Sequence, residues 1–382
     1  MQLPLGLQIL LVLATCFYSV VVVGLLIGIR RLTFKPSASK PSASVIVAAR
    51  NEAANIGNLL EHLVRQDYDD LEIIVVNDRS TDRTASIVER FQSEYPRVRL
   101  LNVVSVLPGM PYKKNALTQG IESSRGDILC FTDADCLPPP RWVSSLVAAF
   151  GDDVGLVAGY SPYSASPVNR VPASPLVRLL HEFIEYEEMK GAFWSAGSIG
   201  LNKAWLCTGR SLAYRRRVYD EVGKFDKIKQ SISGDDDLFL QLVRRETAWR
   251  IRYVTSRESF VPTFPSPHLR DFVQQRTRHF SAGRFFPPAM KAFFFLFHMA
   301  NFLISGAFLV SIFQGFPASL VIPYLCKCVV DSIVFLRMSF QFDQRRFVLT
   351  FVLMEMLYVL YNTLIGPLGF LGRFDWKPAE SS

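Results

Sequence analysis

Three hydrophobic patterns follow one another along this chain. Residues 3–29 are a continuous apolar run broken only by Gln8 and a few small polar residues. At a helical rise of 1.5 Å per residue, about 20 of them cross a hydrocarbon core of about 30 Å. From residue 44 the pattern changes to short β-rich runs separated by amphipathic segments. Residues 44–49, 71–76, 98–103 and 128–131 predict four strands. Ile56, Leu59, Leu60 and Leu63 have helical spacing, as do Ile87 and Phe91, with Thr81 or Asp82 as the N-cap of the second helix. Residues 115–121 predict a third helix. The last pattern is apolar again, over residues 292–313, 318–336 and 347–371.

Strands alternating with helices predict an α/β fold with a doubly wound, mostly parallel sheet. Arg50, Asn51, Asp78, Asp133 and Asp135 all stand just after strands. In an open sheet of this kind, such ends converge on one crevice.

The flanks of the first run fix its reading. No basic residue precedes it and it is too long for a cleaved signal peptide, whereas Arg30, Arg31, Lys35 and Lys40 follow it. The positive-inside rule then places the next domain in the cytoplasm. The chain divides into an anchor (1–30), a Ser/Pro-rich linker (31–43), a globular domain (44–265), an amphipathic interfacial segment (266–290), about three further spans (291–371) and a tail (372–382). Arg345 and Arg346 between the last two spans fit a C-terminus outside, against which Arg373 and Lys377 weigh. Lys327 and Asp331, spaced i,i+4 within one span, are expected to neutralise each other, and Glu355 to make a helix-packing contact. An integral protein of a bacterial inner membrane is the expectation.

Composition agrees. Mean hydropathy is +0.20 and 30 of the 382 residues are Phe. The net charge of +8 fits an anionic ligand or a cytoplasmic membrane face. The six cysteines lack zinc-like spacing and read as reduced. Arg215, Arg216 and Arg217, with Tyr214 and Tyr219, read as a structural or membrane-facing cluster, and nothing else points to nucleic acid.

Candidate chemistry starts with Asp133 and Asp135. Residues i and i+2 of an extended segment project to the same side, so both carboxylates can face one ligand at a strand end. Mg²⁺ typically takes one or two carboxylates together with substrate phosphates. Asp235, Asp236 and Asp237 precede a helical segment; a cap needs one acid, and three crowded acids repel, which raises a carboxyl pKa toward general-base work. Residues 268–280 read as an amphipathic helix with Leu269, Phe272, Val273 and Phe280 on the membrane side and Gln275 and Arg278 on another face. From there Arg278 could reach a diphosphate.

Taken in order, Ala49-Arg50-Asn51-Glu52, Asn77 to Asp82, Lys113 to Leu117, Asp133-Ala134-Asp135, Gly234 to Leu238 and Gln275 to His279 resemble the signature of family 2 glycosyltransferases. These are membrane-associated relatives of cellulose, hyaluronan and ceramide glycosyl-transferring enzymes, with the GT-A nucleotide-sugar fold. The resemblance covers about residues 44–285. It implies Asp78 on the nucleobase, Asp133 on the ribose, Lys113 on the diphosphate, Asp135 on a Mg²⁺ or Mn²⁺ ion, Asp236 as base with Asp235 in support, and Gln275 and Arg278 as a QxxRW-like element. His279 stands where that family usually has Trp, and Asn77 and Arg79 replace its more usual Asp and Gly. The implied function is inverting transfer from a nucleotide sugar, UDP-sugar favoured, to a membrane lipid. A processive polysaccharide synthase and a silent nucleotide-sugar-binding scaffold are the alternatives.

Overall fold

The computed structural model describes residues 4–164, 174–343 and 350–371. Seven strands form one sheet: β1 (Ala43–Ala49), β2 (Leu71–Asn77), β3 (Val98–Asn102), β4 (Ile128–Phe131), β5 (Val154–Gly159), β6 (Leu212–Arg215) and β7 (Arg250–Val254), in the order β3-β2-β1-β4-β6-β5-β7. The helices are α1 (Leu5–Arg30), α2 (Ile56–Leu63), α3 (Thr84–Glu94), α4 (Tyr112–Ser123), α5 (Trp142–Val147), α6 (Pro175–Gly200), α7 (Arg216–Glu221), α8 (Asp237–Glu246), α9 (Leu269–Ser281), α10 (Pro288–Phe313), α11 (Ala318–Gln341) and α12 (Phe351–Leu371).

The first four strands pair in parallel, as the alternating pattern requires. β6 runs antiparallel to both β4 and β5, so the sheet is mixed rather than purely parallel. All seven residues of β1 are buried. Its side chains alternate between two cores, as pleating dictates. Val45 and Val47 join Leu59, Leu63, Val88 and Trp142 on one face of the sheet. Ile46 and Ala48 join Leu117, Ile184 and Phe239 on the other. The second core is continuous with Tyr18, Leu25, Phe297 and Phe335 of the apolar helices, so the domain and these helices share one hydrophobic mass.

Among the described residues, α1, α10, α11 and most of α12 are long and apolar enough to cross a membrane. The 26-residue α6 is not in that set and had no sequence forecast as a helix. It carries Phe183, Tyr186, Phe193 and Trp194, all buried in protein. Glycines let α6 cross α1 backbone against backbone: a Cβ on Gly200 would lie 2.0 Å from the Gly28 carbonyl oxygen. Backbone cannot yield as a side-chain tip would. Gly200→Val is therefore expected to destabilise the protein by about 2–3 kcal/mol, read as a lower thermal midpoint in detergent.

Charges inside the helical mass are paired. Lys327 bonds Asp331, which also accepts the Tyr18 hydroxyl at 2.6 Å. Glu355 takes Lys190 of α6 at 2.6 Å and Lys327 at 3.5 Å. Glu355 thus makes the packing contact expected of it. Arg215 and Arg216 donate to backbone carbonyls of residues 121, 126, 151 and 154, while Arg217 stacks on Trp249, which makes the arginine cluster structural. The Arg345, Arg346, Arg373 and Lys377 readings, and the tail, lie outside the described residues.

Candidate active site

The loops after β1 and β2 are stapled together. The Asn51 amide donates to Ser80 Oγ (3.0 Å), and Asn51 Oδ1 accepts the Thr81 amide (2.8 Å). The Glu52 and Ala53 amides reach Thr84 Oγ1 and Asp82 Oδ2. Asn51 and Arg79 hold left-handed backbone there, with φ of 53° and 55°, strain of the kind that gathers at functional sites. Asp82 also accepts the Thr84 amide at the start of α3, although Arg83 is the residue in the cap position. Asn77 closes the turn by accepting the Ser80 amide, which leaves the Asp78 carboxylate for other work. Asp78 is fully buried; its Oδ1 accepts from Arg79 Nε at 2.8 Å, and Oδ2 has no hydrogen-bond partner among the described residues. The Arg79 guanidinium lies over the Tyr112 ring at 4.4 Å, and that of Arg50 at 5.6 Å.

Tyr112 opens α4, and the next residue ties the site together. Lys113 Nζ lies 3.1 Å from Asp133 Oδ1 and 3.1 Å from Asp235 Oδ2. Burial works against its charge, but Asp133, Asp235 and Asp236 outweigh burial and hold its pKa above the usual lysine value. Lys113 is thus no solvated helix start. Lys114 points elsewhere: it is fully buried and donates to the Ser231 and Ser233 carbonyls at 2.6 and 2.8 Å. Burial lowers its pKa to about 8 against the attraction of Asp235 and Asp236. Its job is to hold the loop that leads into the three aspartates. Lys114→Met keeps the volume and strands both carbonyls, so a loss of about 2 kcal/mol in unfolding free energy is expected from denaturation.

The three aspartates have three different partners. Asp235 faces Lys113; burial raises its pKa, but Lys113 and Lys114 bring it below the usual carboxylate range. Asp236 caps α8 by accepting the Asp237 amide at 2.7 Å, and its other oxygen accepts the Gly209 amide at 2.9 Å. Burial and then Asp235 push the Asp236 pKa up, only partly offset by Lys113. Asp237 turns away to the Cys207 amide. A small cavity lies between these groups, lined by Ala48, Lys113, Asp133, Gly209, Tyr214 and Asp235 among others.

Asp133 and Asp135 follow β4 on a turn rather than on an extended strand end, and Asp133 lines this cavity. Burial and the Asp133 charge raise the Asp135 pKa, and Arg210 partly offsets them. Among the described residues no cluster of three or more His, Cys, Asp or Glu forms a metal cage. Two hard carboxylates crowded together fit a divalent cation that takes its remaining oxygens from a bound diphosphate.

The helix α9 departs from its expected surroundings. Its apolar face packs on protein: Phe272 meets Phe183 and Tyr361, and Phe280 meets Tyr361. Leu269 alone of the four forecast apolar residues is mostly exposed, at 62 %. Gln275 accepts from Ser266 at 3.3 Å, and Arg278 contacts the adjacent His279. Among the described residues, neither bonds Asp133 or Asp235, the carboxylates that Lys113 holds. The buried cation of this helix is Arg276, which pairs with Glu187 and Glu188 of α6. Glu188 also holds Arg210 at 2.7 Å. None of Arg210, Arg276, Glu187 and Glu188 was singled out from the sequence as a site residue; the acids Glu182, Glu185, Glu187 and Glu188 set among bulky apolar residues were the available signal.

Residues 44–223 match the family described as glycosyl transferase family 2. The chain is 31 % identical over 208 residues to a probable glycosyltransferase, YdaM, of Bacillus subtilis, covering 53 % of this chain and 46 % of that protein. It is 27 % identical over 204 residues to a beta-monoglucosyldiacylglycerol synthase of Synechocystis sp., covering 53 % and 40 %. The match thus spans less than half the length of these relatives. A solved structure of a mannosyltransferase from Pyrobaculum calidifontis, in complex with GDP-Man and Mn²⁺, superposes with a TM-score of 0.56 at 18 % identity over 96 % of this chain and 99 % of that one. That likeness establishes a GT-A-type fold with the apolar helices included.

Proposed function

We propose that this protein is an inverting glycosyltransferase that moves a sugar from a nucleotide diphosphate sugar, UDP-sugar favoured, to a hydroxyl of a membrane lipid at the cytoplasmic face. The observation that carries the reading is Lys113 bridging Asp133, on the donor side, and Asp235, beside the base. One cation thereby joins the two halves of a transfer site. The lipid acceptor rests on the four apolar helices that share a core with the catalytic domain, and on the relative named for monoglucosyldiacylglycerol.

In this reading Asp78 offers its remaining oxygen to a nucleobase N–H, and Asp133 accepts ribose hydroxyls. Asp236 takes the proton from the acceptor hydroxyl as that oxygen attacks the anomeric carbon. The bond from that carbon to the diphosphate oxygen breaks on the opposite face, and the single displacement inverts the centre. Lys113 and Arg278 offset charge on the departing nucleoside diphosphate, with Gln275 fixing the loop before α9 through Ser266. A Mg²⁺ or Mn²⁺ ion held by Asp135 supplies further positive charge to that leaving group when bound.

The test uses full-length protein in detergent, a panel of UDP- and GDP-sugars, and total membrane lipid with Mg²⁺ or Mn²⁺. Release of nucleoside diphosphate together with one new glycolipid is expected. A polymeric product would favour a processive synthase, and no release from any donor would leave only a silent binder.

A further inference from the structure

Glu188 stands where two chemistry-bearing segments meet. It lies in the middle of α6 and is buried, with each carboxylate oxygen on a different arginine. Oε1 holds Arg210 Nη2 at 2.7 Å, and Oε2 holds Arg276 Nη2 at 3.3 Å. Arg210 and Arg276 are themselves only 8 % and 7 % exposed, and both guanidinium groups lie over the Tyr163 ring, at 4.7 and 5.7 Å.

Each arginine adjoins part of the site. Arg210 follows Gly209, whose amide donates to Asp236 Oδ2 at 2.9 Å; a Cβ there would come within 3.4 Å of that oxygen. The Asp236 carboxylate is therefore aimed by two backbone amides, one of which moves with Arg210. Arg276 sits two residues before Arg278 on α9 and fixes that helix against α6. The α6 helix is in turn locked to α1 through glycine backbone contact. A carboxylate gripping two buried guanidinium groups is stiff, because letting go of Arg210 would leave a buried charge without its carboxylate, and Arg276 would keep only Glu187.

We propose that Glu188 is a positioning residue: through Arg210 and Arg276 it sets the alignment of Asp236 with the α9 helix, and so the placement of the acceptor hydroxyl relative to the donor. This rests on the transfer reading above. Glu188 touches no reacting atom, and the donor keeps Asp78, Asp133 and Lys113 even if Arg278 shifts with α9, so the effect falls on turnover far more than on donor binding.

The experiment compares wild type, Glu188→Gln, Arg210→Lys and the double variant in the detergent and lipid assay, with nucleoside diphosphate affinity and thermal midpoint measured in parallel. A misalignment on the order of 1 Å can cost about 100-fold in rate, so kcat is expected to fall about 10–100-fold in each single variant. Donor KM and nucleotide Kd should stay within about twofold of wild type. The double variant should be no slower than the slower single one, because both act through one unit. Arg210→Lys keeps the charge and loses the forked geometry, so it tests the idea even if Glu188→Gln does not fold. Wild-type kcat in either folded variant, multiplicative losses in the double variant, or loss of nucleotide affinity in step with kcat would overturn the proposal. A wild-type protein inactive with every donor would instead remove the transfer reading itself, and this inference with it.

Discussion

Asp236→Asn is expected to cut sugar transfer by about 10³-fold while nucleotide binding stays at the wild-type level. The two carboxylate oxygens of Asp236 accept the Asp237 and Gly209 amides. An asparagine keeps one of these bonds through its carbonyl oxygen and sets its amide N–H groups against the other donor. That costs about 1 kcal/mol of stability and leaves the helix cap in place. What disappears is the basic lone pair, and an amide cannot take a proton from an acceptor hydroxyl. Isothermal titration with UDP and a rate assay on the same preparation separate the two effects. Near-wild-type turnover would move the base to another carboxylate, with Asp235 first in line. The pH profile adds a second reading. Burial and Asp235 place the Asp236 pKa above the usual carboxylate range. A base works when deprotonated, so activity should fall with decreasing pH, with its midpoint above that range. Asp235→Asn removes the neighbouring charge and should shift the acid limb to lower pH.

The sequence and the structure part company in an instructive place. The parallel half of the sheet was legible because β1, β2 and β4 are buried on both faces and read as apolar runs, interrupted in β2 only by Glu72. The polar residues at their ends were legible for the same reason, since the pattern stops abruptly there. β5, β6 and β7 were not forecast: β5 is a short run broken by Gly155 and ended by Gly159, and the other two carry arginines, Arg215 at the end of β6 and Arg250 and Arg252 in β7. Long side chains of this kind reach out to backbone carbonyls and leave little apolar periodicity to read. α6 was missed for the opposite reason. From Phe183 onward it is mostly buried and its acids fall among buried positions, so no polar face sets a helical period. Its acids find partners more than 20 residues away in sequence, on the loop after α6 and on α9, and no local pattern could pair them. The division of labour between Lys113 and Lys114 is of the same kind. Both open α4, and only the fold shows that one faces Asp133 and Asp235 while the other holds the Ser231 and Ser233 carbonyls.

Asp135→Asn should make the metal-free protein more stable and the loaded protein weaker. Asp135 is a buried carboxylate crowded by Asp133, with Glu52 adding to the repulsion and Arg210 only partly relieving it. Its pKa is therefore higher folded than unfolded. Between those two values the folded state binds more protons, so stability contributed by this group increases as pH falls and is at its least favourable near neutrality. An uncharged amide removes that penalty. In EDTA at neutral pH the variant should gain about 1 kcal/mol, the trade expected where a site is built for function at the expense of the fold. The same change removes a charged oxygen from the pair suited to a divalent cation. UDP affinity measured with Mn²⁺ should then fall about 100-fold, equivalent to about 2.7 kcal/mol, and the rise in thermal midpoint that Mn²⁺ with UDP gives the wild type should shrink to match. A variant less stable than wild type in EDTA, with its Mn²⁺-dependent affinity for UDP intact, would return Asp135 to the role of a turn residue after β4.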